Sequence, residues 1–460
     1  MARRALLAVA VVLAVALLAA AGLGGYEASR QVRRGLEAAP TPTPTPSALA
    51  SATVAPPSSP PGSAGPAAVA GAVATALRPV VAAPALGSRL RAQVADAATG
   101  AVLYAQGPDT DAAPASTMKL LTASAVLATR GGAYRIPTTL STDGAGTVYL
   151  VGGGDPTLTA AEPPAAPAYA GAARLSDLAA QATRAKVPVR RVVVDDSRYS
   201  GPSVNPAWEA GDIPSDYASP VTAVMVDGGR ASPSAVIRSS TPDLDAGRAL
   251  AAQLGVPGAP VTRGTAPPTA RVLGTVRSAP MSVLIGQMLQ QSDNVIAECL
   301  ARQVAVASHQ PASFDGAATA VRSTLAALGV DVGAGLHDGS GLATTDRVAA
   351  AALVDVLRLI VSPEHPQLHP VVTGLPVAAW SGTLADRFLS GSAAGGAGVV
   401  RAKTGTLTGV SALAGLVHDR SGRLLAFALL ADQVPATGTA AAEAALDRVA
   451  ATLAACGCTS

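Results

Sequence analysis

Lysine is nearly absent from this 460-residue chain: of 33 basic residues, 30 are arginine, and only Lys119, Lys186 and Lys403 are lysine. Asparagine is scarcer still, occurring only at Asn205 and Asn294. In a chain that uses Arg for nearly all its positive charge, a retained Lys suggests work a guanidinium cannot do. Aromatics make up 3% and the formal net charge is +3, so there is no basic stripe interleaved with aromatics and nucleic-acid binding is excluded. Of the three cysteines, Cys299 lies in an apolar helical pattern and reads as a buried small hydrophobe. Cys456 and Cys458 would close a strained ring across one residue, and neither takes a role. No G-x-S-x-G elbow is present for a Ser-His-Asp hydrolase. His365 and His369 are spaced i, i+4, but Pro366 breaks any helical metal face, so no metal or other cofactor is expected. Gly152-Gly153-Gly154 runs into Asp155-Pro156 rather than a helix, which makes it a turn and not a phosphate loop.

What is present is a long, alanine-rich chain with 46 Gly and 36 Pro, large enough for two domains. Arg3 and Arg4 precede an apolar run from Ala5 to about Leu23. Residues 1–25 therefore read as a signal peptide or membrane anchor, and the expected location is the outer face of a bacterial cytoplasmic membrane, anchored or secreted. Residues 26–78, containing "PTPTPTPSALASATVAPPSSPPGSAGP", read as a Pro/Ala/Thr-rich linker.

Beyond the linker, "SRLRAQVADAATGAVLYAQ" alternates and breaks at Ala98-Thr99-Gly100, which predicts a hairpin. "STMKLLTASAVLA" predicts a helix beginning after Pro114. Residues 131–280 are irregular, Gly- and Pro-rich, with short strands. A helical block follows, then a second hairpin turning near Ser421-Gly422 and a final helix from 439 to about 455. Strands at both ends enclosing helices suit one α/β domain over 79–130 and 281–455, with 131–280 inserted into it.

Three motifs carry chemistry. Ser116 and Lys119 are three apart on one helical face, so their side chains meet. A serine hydroxyl needs a neighbouring base, and an amine serves only when partly neutral, which burial or a nearby positive charge achieves. Alone, S-x-x-K is as readily an exposed helical turn. Ser292-Asp293-Asn294 lies between two apolar helical runs and can present a hydroxyl and an amide to a cleft. Ser203-Val204-Asn205 has the same S-x-N form but sits in a Pro/Gly-rich turn. Lys403-Thr404-Gly405-Thr406 precedes a strong strand and offers a point charge for a carboxylate, two hydroxyls, and a glycine past which a substrate backbone can lie. A solvated loop lysine is the plain alternative for Lys403.

S-x-x-K, S-D-N and K-T-G in this order resemble the penicillin-binding proteins and serine β-lactamases. "APASTMKLLTASAVL", "YLVGGGDPTL", "YASPVTAVMVDGG", "DGSGLATTDRV", "SGTLADRF" and "AKTGTLTGVSALAG" are similar to the low-molecular-mass class C D-alanyl-D-alanine carboxypeptidase/endopeptidase family over residues 85–450. The resemblance implies a transpeptidase-like α/β fold, an antiparallel sheet with flanking helices, carrying a β-rich insert. It implies cleavage of peptidoglycan stem peptides ending in D-Ala-D-Ala through an acyl-enzyme, with β-lactams as covalent inhibitors. Ser116 would be the nucleophile and Lys119 its base. Ser292 would relay a proton to the leaving amine, and Asn294 would hold Lys119 and the substrate amide. Lys403, Thr404 and Thr406 would hold the terminal carboxylate, the charge of Lys403 helping to keep Lys119 deprotonated. The backbone N–H groups of Ser116 and Thr406 would form the oxyanion hole. Ser340 in "DGSGL" would line the cleft, although a tight turn explains that string equally well. Asp212 and Tyr217 in "PAWEAGDIPSDYASP" have the spacing of residues that read the free amine of a diaminopimelate-type side chain in related enzymes, while a turn at Gly211-Asp212 is the alternative. Thr344 stands where the family often has an Arg for the side-chain carboxylate, so the amine should be read more strongly than the carboxylate.

Two rivals remain at this level. A class A β-lactamase would deacylate through an E-x-x-L-N glutamate, which is missing; Glu298 lies on the helix directly after S-D-N. A non-catalytic penicillin sensor or structural wall protein would keep the fold without needing all the catalytic side chains.

Overall fold

The structure is a computed structural model that describes residues 69–435 and 437–458. The expected targeting segment 1–25 and the linker as far as residue 68 lie outside the described residues. The end of the expected linker differs: Ala70–Val81 is an α-helix, with Val73 and Leu77 fully buried. Residues 70–78 contain no proline, and these two apolar side chains at i, i+4 give that turn a face to bury. No helix among the described residues is long and apolar enough to cross a membrane.

The first sheet joins the two ends of the described chain. It contains β1 (Leu90–Asp96), β2 (Val102–Gln106), β8 (Arg401–Leu407), β9 (Val410–His418) and β10 (Leu424–Ala431), in the order β2-β1-β10-β9-β8. Every pairing in it is antiparallel. Side chains alternate between its faces and both faces are covered, so β9 and β10 read as continuous apolar runs. Ala426, Ala428 and Leu430 join a core with helices Lys119–Arg130, Met281–Gln291, Asn294–Ala307 and Ala350–Leu359. Leu425, Phe427 and Leu429 face the opposite way, into a core with helices Ala70–Val81 and Thr439–Ala455.

Carboxylates fold both hairpin turns. Asp96 Oδ1 accepts from Thr99 N at 2.8 Å and Ala98 N at 3.1 Å. Asp419 Oδ1 accepts from Ser421 N and Arg423 N, each at 2.9 Å. Arg423 Nε donates to Asp96 at 2.8 Å, tying the two turns together.

The second sheet contains β3 (Pro137–Thr142), β4 (Thr147–Gly152), β5 (Arg191–Asp195), β6 (Val261–Arg263) and β7 (Arg271–Arg277), in the order β6-β5-β4-β3-β7. The β4–β5 and β5–β6 pairs are parallel, and β3 is antiparallel to both β4 and β7. Helices Leu175–Arg184 and Pro242–Gln253 bury Leu178, Ala182, Ala246 and Leu250 in the core of this sheet. The region expected to be β-rich carries this five-stranded sheet, and its two helices lie in the crossover connections that parallel neighbours require.

Candidate active site

Ser116 lies on a 3-10 turn, Ala115–Met118, that leads into the helix beginning at Lys119. Side chains three apart eclipse in a 3-10 turn, and Lys119 Nζ stands 2.8 Å from Ser116 Oγ. Ala115 has φ 45°, a left-handed conformation that costs a non-glycine residue about 1 kcal/mol or more. Two glycines hold this turn from either side. A Cβ on Gly341 (φ +78°) would lie 1.8 Å from Ala115 O, and one on Gly405 would lie 2.8 Å from Pro114 O. The backbone that approaches Gly405 is therefore the chain's own serine turn.

Lys119 is fully buried, and its Nζ has three acceptors: Ser116 Oγ at 2.8 Å, Asn294 Oδ1 at 2.6 Å and Ser340 O at 2.8 Å. An ammonium fills all three. Once one proton is lost, two N–H groups can stay on Asn294 and Ser340 while the lone pair faces the serine hydroxyl. Burial pushes the Lys119 pKa down to about 8, against the pull of Asp338, Glu298, Asp293 and Asp346.

The S-D-N segment is a tight junction between helices. Ser292 ends helix Met281–Gln291 in a left-handed conformation (φ 54°, ψ 34°), and Asp293 caps the next helix by accepting from Ile296 N at 3.0 Å. Asn294 Nδ2 donates to Tyr217 O at 3.3 Å. The Asp293 carboxylate also accepts from Tyr169 Oη at 2.6 Å and Arg238 Nη2 at 2.8 Å, with Arg230 at 3.7 Å. Burial alone would raise its pKa, but the two guanidiniums hold it well below the usual carboxylate range. Asn205, in the competing S-x-N string, instead accepts from Ala207 N at 2.9 Å within its own turn and donates to His337 O at 2.8 Å across 132 positions.

A cleft of about 680 Å³ opens over these residues, bordered by Ser116, Ser292, Asn294, Thr404, Thr406 and Tyr217. Asp212, Thr344 and Thr383 also line it. Lys403 does not. It is fully buried beneath Thr404, its Nζ donating to Thr404 O at 2.8 Å and lying 3.5 Å from Thr404 Oγ1. Burial lowers its pKa well below the usual lysine value, and the charges of Lys119 and Arg387 lower it further. Repulsion between two buried cations acts on both, so each lysine disfavours the charged form of the other, with burial the larger cause for each. Thr404 Oγ1 meets Thr383 Oγ1 at 2.8 Å, and Thr406 Oγ1 donates to Glu443 at 2.8 Å.

Asp212 fits both readings of its position: it borders the cleft, and it caps a turn by accepting from Glu209 N at 3.2 Å. Burial, followed by the nearby Glu209 carboxylate, raises its pKa. Tyr217 is 58% exposed. Ser340 departs from the expectation that it lines the cleft. It is fully buried, and its hydroxyl lies 3.2 Å from Asp338 Oδ2. Its carbonyl is the part that reaches Lys119.

The hub that sequence reading missed is Asp338. It accepts from the backbone N–H groups of Ser340, Gly341 and Ala343 and from Trp208 Nε1. Glu298 supports the same loop by accepting from Gly339 N at 3.1 Å, and burial pushes its pKa up to about 8. The D-G-S-G string signalled a carboxylate-folded turn, but nothing local indicated that the turn delivers a carbonyl to Lys119.

A profile of the D-Ala-D-Ala carboxypeptidase 3 (S13) family matches residues 73–237 and 231–453. The chain is 45% identical to Carboxypeptidase Rv3627c of Mycobacterium tuberculosis over 358 residues, covering 76% of this chain and 77% of that protein. It is 44% identical to Carboxypeptidase DacB of Mycolicibacterium smegmatis over 365 residues, covering 77% of each. In fold it is similar to the crystal structure of penicillin binding protein 4 (dacB) from Haemophilus influenzae, with a TM-score of 0.69 and 22% identity over 81% of this chain and 97% of that one. The profile spans both the Ser116 turn and the strand of Lys403, the two segments that Gly405 brings together, and the chain belongs to the D-Ala-D-Ala carboxypeptidase 3 (S13) family.

Proposed function

We propose that Ser116 is the nucleophile through which this serine-type D-Ala-D-Ala carboxypeptidase cleaves peptidoglycan stem peptides. The observation that carries this reading is the buried Lys119 amine, with a pKa near 8, held 2.8 Å from Ser116 Oγ. As the hydroxyl attacks the carbonyl between the two D-alanines, its proton passes to Lys119, whose other hydrogens remain on Asn294 and Ser340. Backbone N–H groups of Ser116 and Thr406 receive the oxyanion, where loss of one donor typically costs about 2.7–4 kcal/mol. Ser292 gives its hydroxyl proton to the departing D-alanine amine and is reprotonated by the proton held on Lys119, and water then releases the acyl group from Ser116. Thr404 and Thr406 meet the terminal carboxylate at the surface, and the Lys403 amine lies beneath Thr404, where the arriving carboxylate favours its charged form. β-Lactams stop the cycle at the acyl-enzyme.

Residues 131–280 form an insert whose wall, with Asp212 and Tyr217, faces the side chain of the stem peptide. The enzyme works in the cell envelope, tethered or released through its N-terminal apolar run. Incubation with a fluorescent penicillin, followed by intact-mass and peptide mapping, tests the assignment. The adduct should map to Ser116, and a folded Ser116→Ala variant should take up no label. Full labelling of that variant would overturn it.

A further inference from the structure

The chain has two tryptophans, and they behave oppositely. Trp208 is 7% exposed and packs on Phe314, whereas Trp380 is 81% exposed. Trp380 stands at the rim of a second concavity of about 530 Å³, with Gln290, Val377, Ser381 and Arg401. This groove adjoins the catalytic cleft. Gln290 borders the groove and Gln291 the cleft, and likewise Ser381 borders the groove and Thr383 the cleft.

The groove is built rather than incidental. Gln290 Nε2 donates to Gly374 O and Leu375 O at 3.1 and 3.0 Å. Ala378 N bonds Val400 O at 3.0 Å, and Gly398 N bonds Ala378 O at 2.8 Å. Ala379 has φ 58°, a strained setting for a residue with a Cβ, directly before Trp380. Arg401 is exposed, and its guanidinium makes no hydrogen bond or ion pair among the described residues.

We propose that this groove binds sugar rings of the glycan strand whose stem peptide occupies the cleft. An exposed indole offers an apolar face to the C–H face of a pyranose. Arg401 and Ser381 supply donors at the edge, where ring hydroxyls and acetamido oxygens lie. Concavity beside the cleft favours a ring-shaped, covalently continuous ligand over a flat one. A lipid surface is the competing occupant, because Leu389 (64% exposed) and Val399 (38% exposed) lie on the same segment.

The inference rests on the peptidoglycan reading of the cleft, so the test compares D-alanine release from a free stem pentapeptide with release from the same peptide carried on a disaccharide or tetrasaccharide. Trp380→Ala should raise KM for the glycan-bearing substrates about tenfold, the loss of one stacked aromatic contact, with kcat unchanged. Trp380→Phe should recover part of this. Turnover of the free peptide and acylation by penicillin should not change. In the wild type, chito-oligosaccharide should alter tryptophan fluorescence, and Trp380→Ala should abolish the change. Equal KM for wild type and Trp380→Ala on glycan-bearing substrates would overturn the proposal. So would a Trp380→Ala defect confined to sedimentation with anionic phospholipid vesicles. If the wild type released D-alanine from neither substrate, the reading of the cleft would fail, and the oligosaccharide titration would still decide the groove.

Discussion

Replacing Asn294 by Asp puts a carboxylate where a neutral amide oxygen now accepts from Lys119 Nζ at 2.6 Å. In the native site burial brings the amine from 10.5 to about 8. At pH 7 about one Lys119 in ten is then neutral, against roughly one in 3,000 at the ordinary value, so burial supplies about 300-fold more free base. An opposite charge in contact raises a lysine pKa by about 1–3 units. A rise of about two units would lower the neutral fraction at pH 7 about 100-fold. In the proposed mechanism the neutral amine is the working form, so acylation by a fluorescent penicillin should rise with pH in both proteins. The wild type should be half-maximal near pH 8. The variant should be about 100-fold slower at pH 7 and should recover as pH approaches about 10. The substitution also removes the 3.3 Å bond from Asn294 Nδ2 to Tyr217 O, worth about 1 kcal/mol and roughly fivefold, but that loss does not depend on pH. A shifted midpoint therefore reports the charge, and a uniform fall reports the lost bond. A flat wild-type profile across this range, or an unmoved midpoint in a folded variant, would refute Lys119 as the base.

Lys119→Arg keeps the charge and removes the proposed base, so stopped-flow acylation should fall about 100- to 10,000-fold. Lys403→Arg forces a larger fork into a fully buried site and should cost about 1–3 kcal/mol, seen as a lower Tm, before any effect on carboxylate binding. Asp212→Asn should lower kcat/KM about tenfold for a peptide with a free side-chain amine and leave its N-acetylated analogue nearly unchanged; equal losses on both would show that Asp212 only folds its turn. Burial, then Asp338, pushes the Asp346 pKa up to about 10. The folded state holds that proton after the unfolded chain has lost it, so stability declines as pH rises from the ordinary carboxylate range through about 10. Asp346→Asn should flatten this decline, read as a smaller drop in Tm between pH 7 and pH 10.

Local signals were readable in the sequence because local physics produces them. The Ala98-Thr99-Gly100 break, the Ser421-Gly422 turn and the spacing of Ser116 and Lys119 each depend on a few neighbouring residues. The α/β class followed from strands at both ends of the chain. The depth of Lys403 did not, because a fully buried lysine and a cleft-lining one have the same sequence, and only the packing of Thr404 above it separates them. Nor did the second duty of the D-G-S-G loop, since Ser340 O meets Lys119 across 221 positions. The left-handed Ala115 carried no glycine or asparagine to announce it; its support comes from Gly341 and Gly405, far along the chain.

The pairing of Leu90 with Ala431 sets a clock on the enzyme's birth. Ser116 is made early, but the strand beside its turn and the strand that locks the sheet come more than 280 residues later. Contacts this distant form slowly. A chain emerging amino end first therefore carries Ser116 before the strands that border its cleft exist, and on the proposed mechanism it should not be acylated until they have been made. Covalent labelling by penicillin then serves as a timer for the last folding step. A nascent chain stalled before residue 424 should stay dark however long it waits, and chase labelling should appear only after β10 has docked.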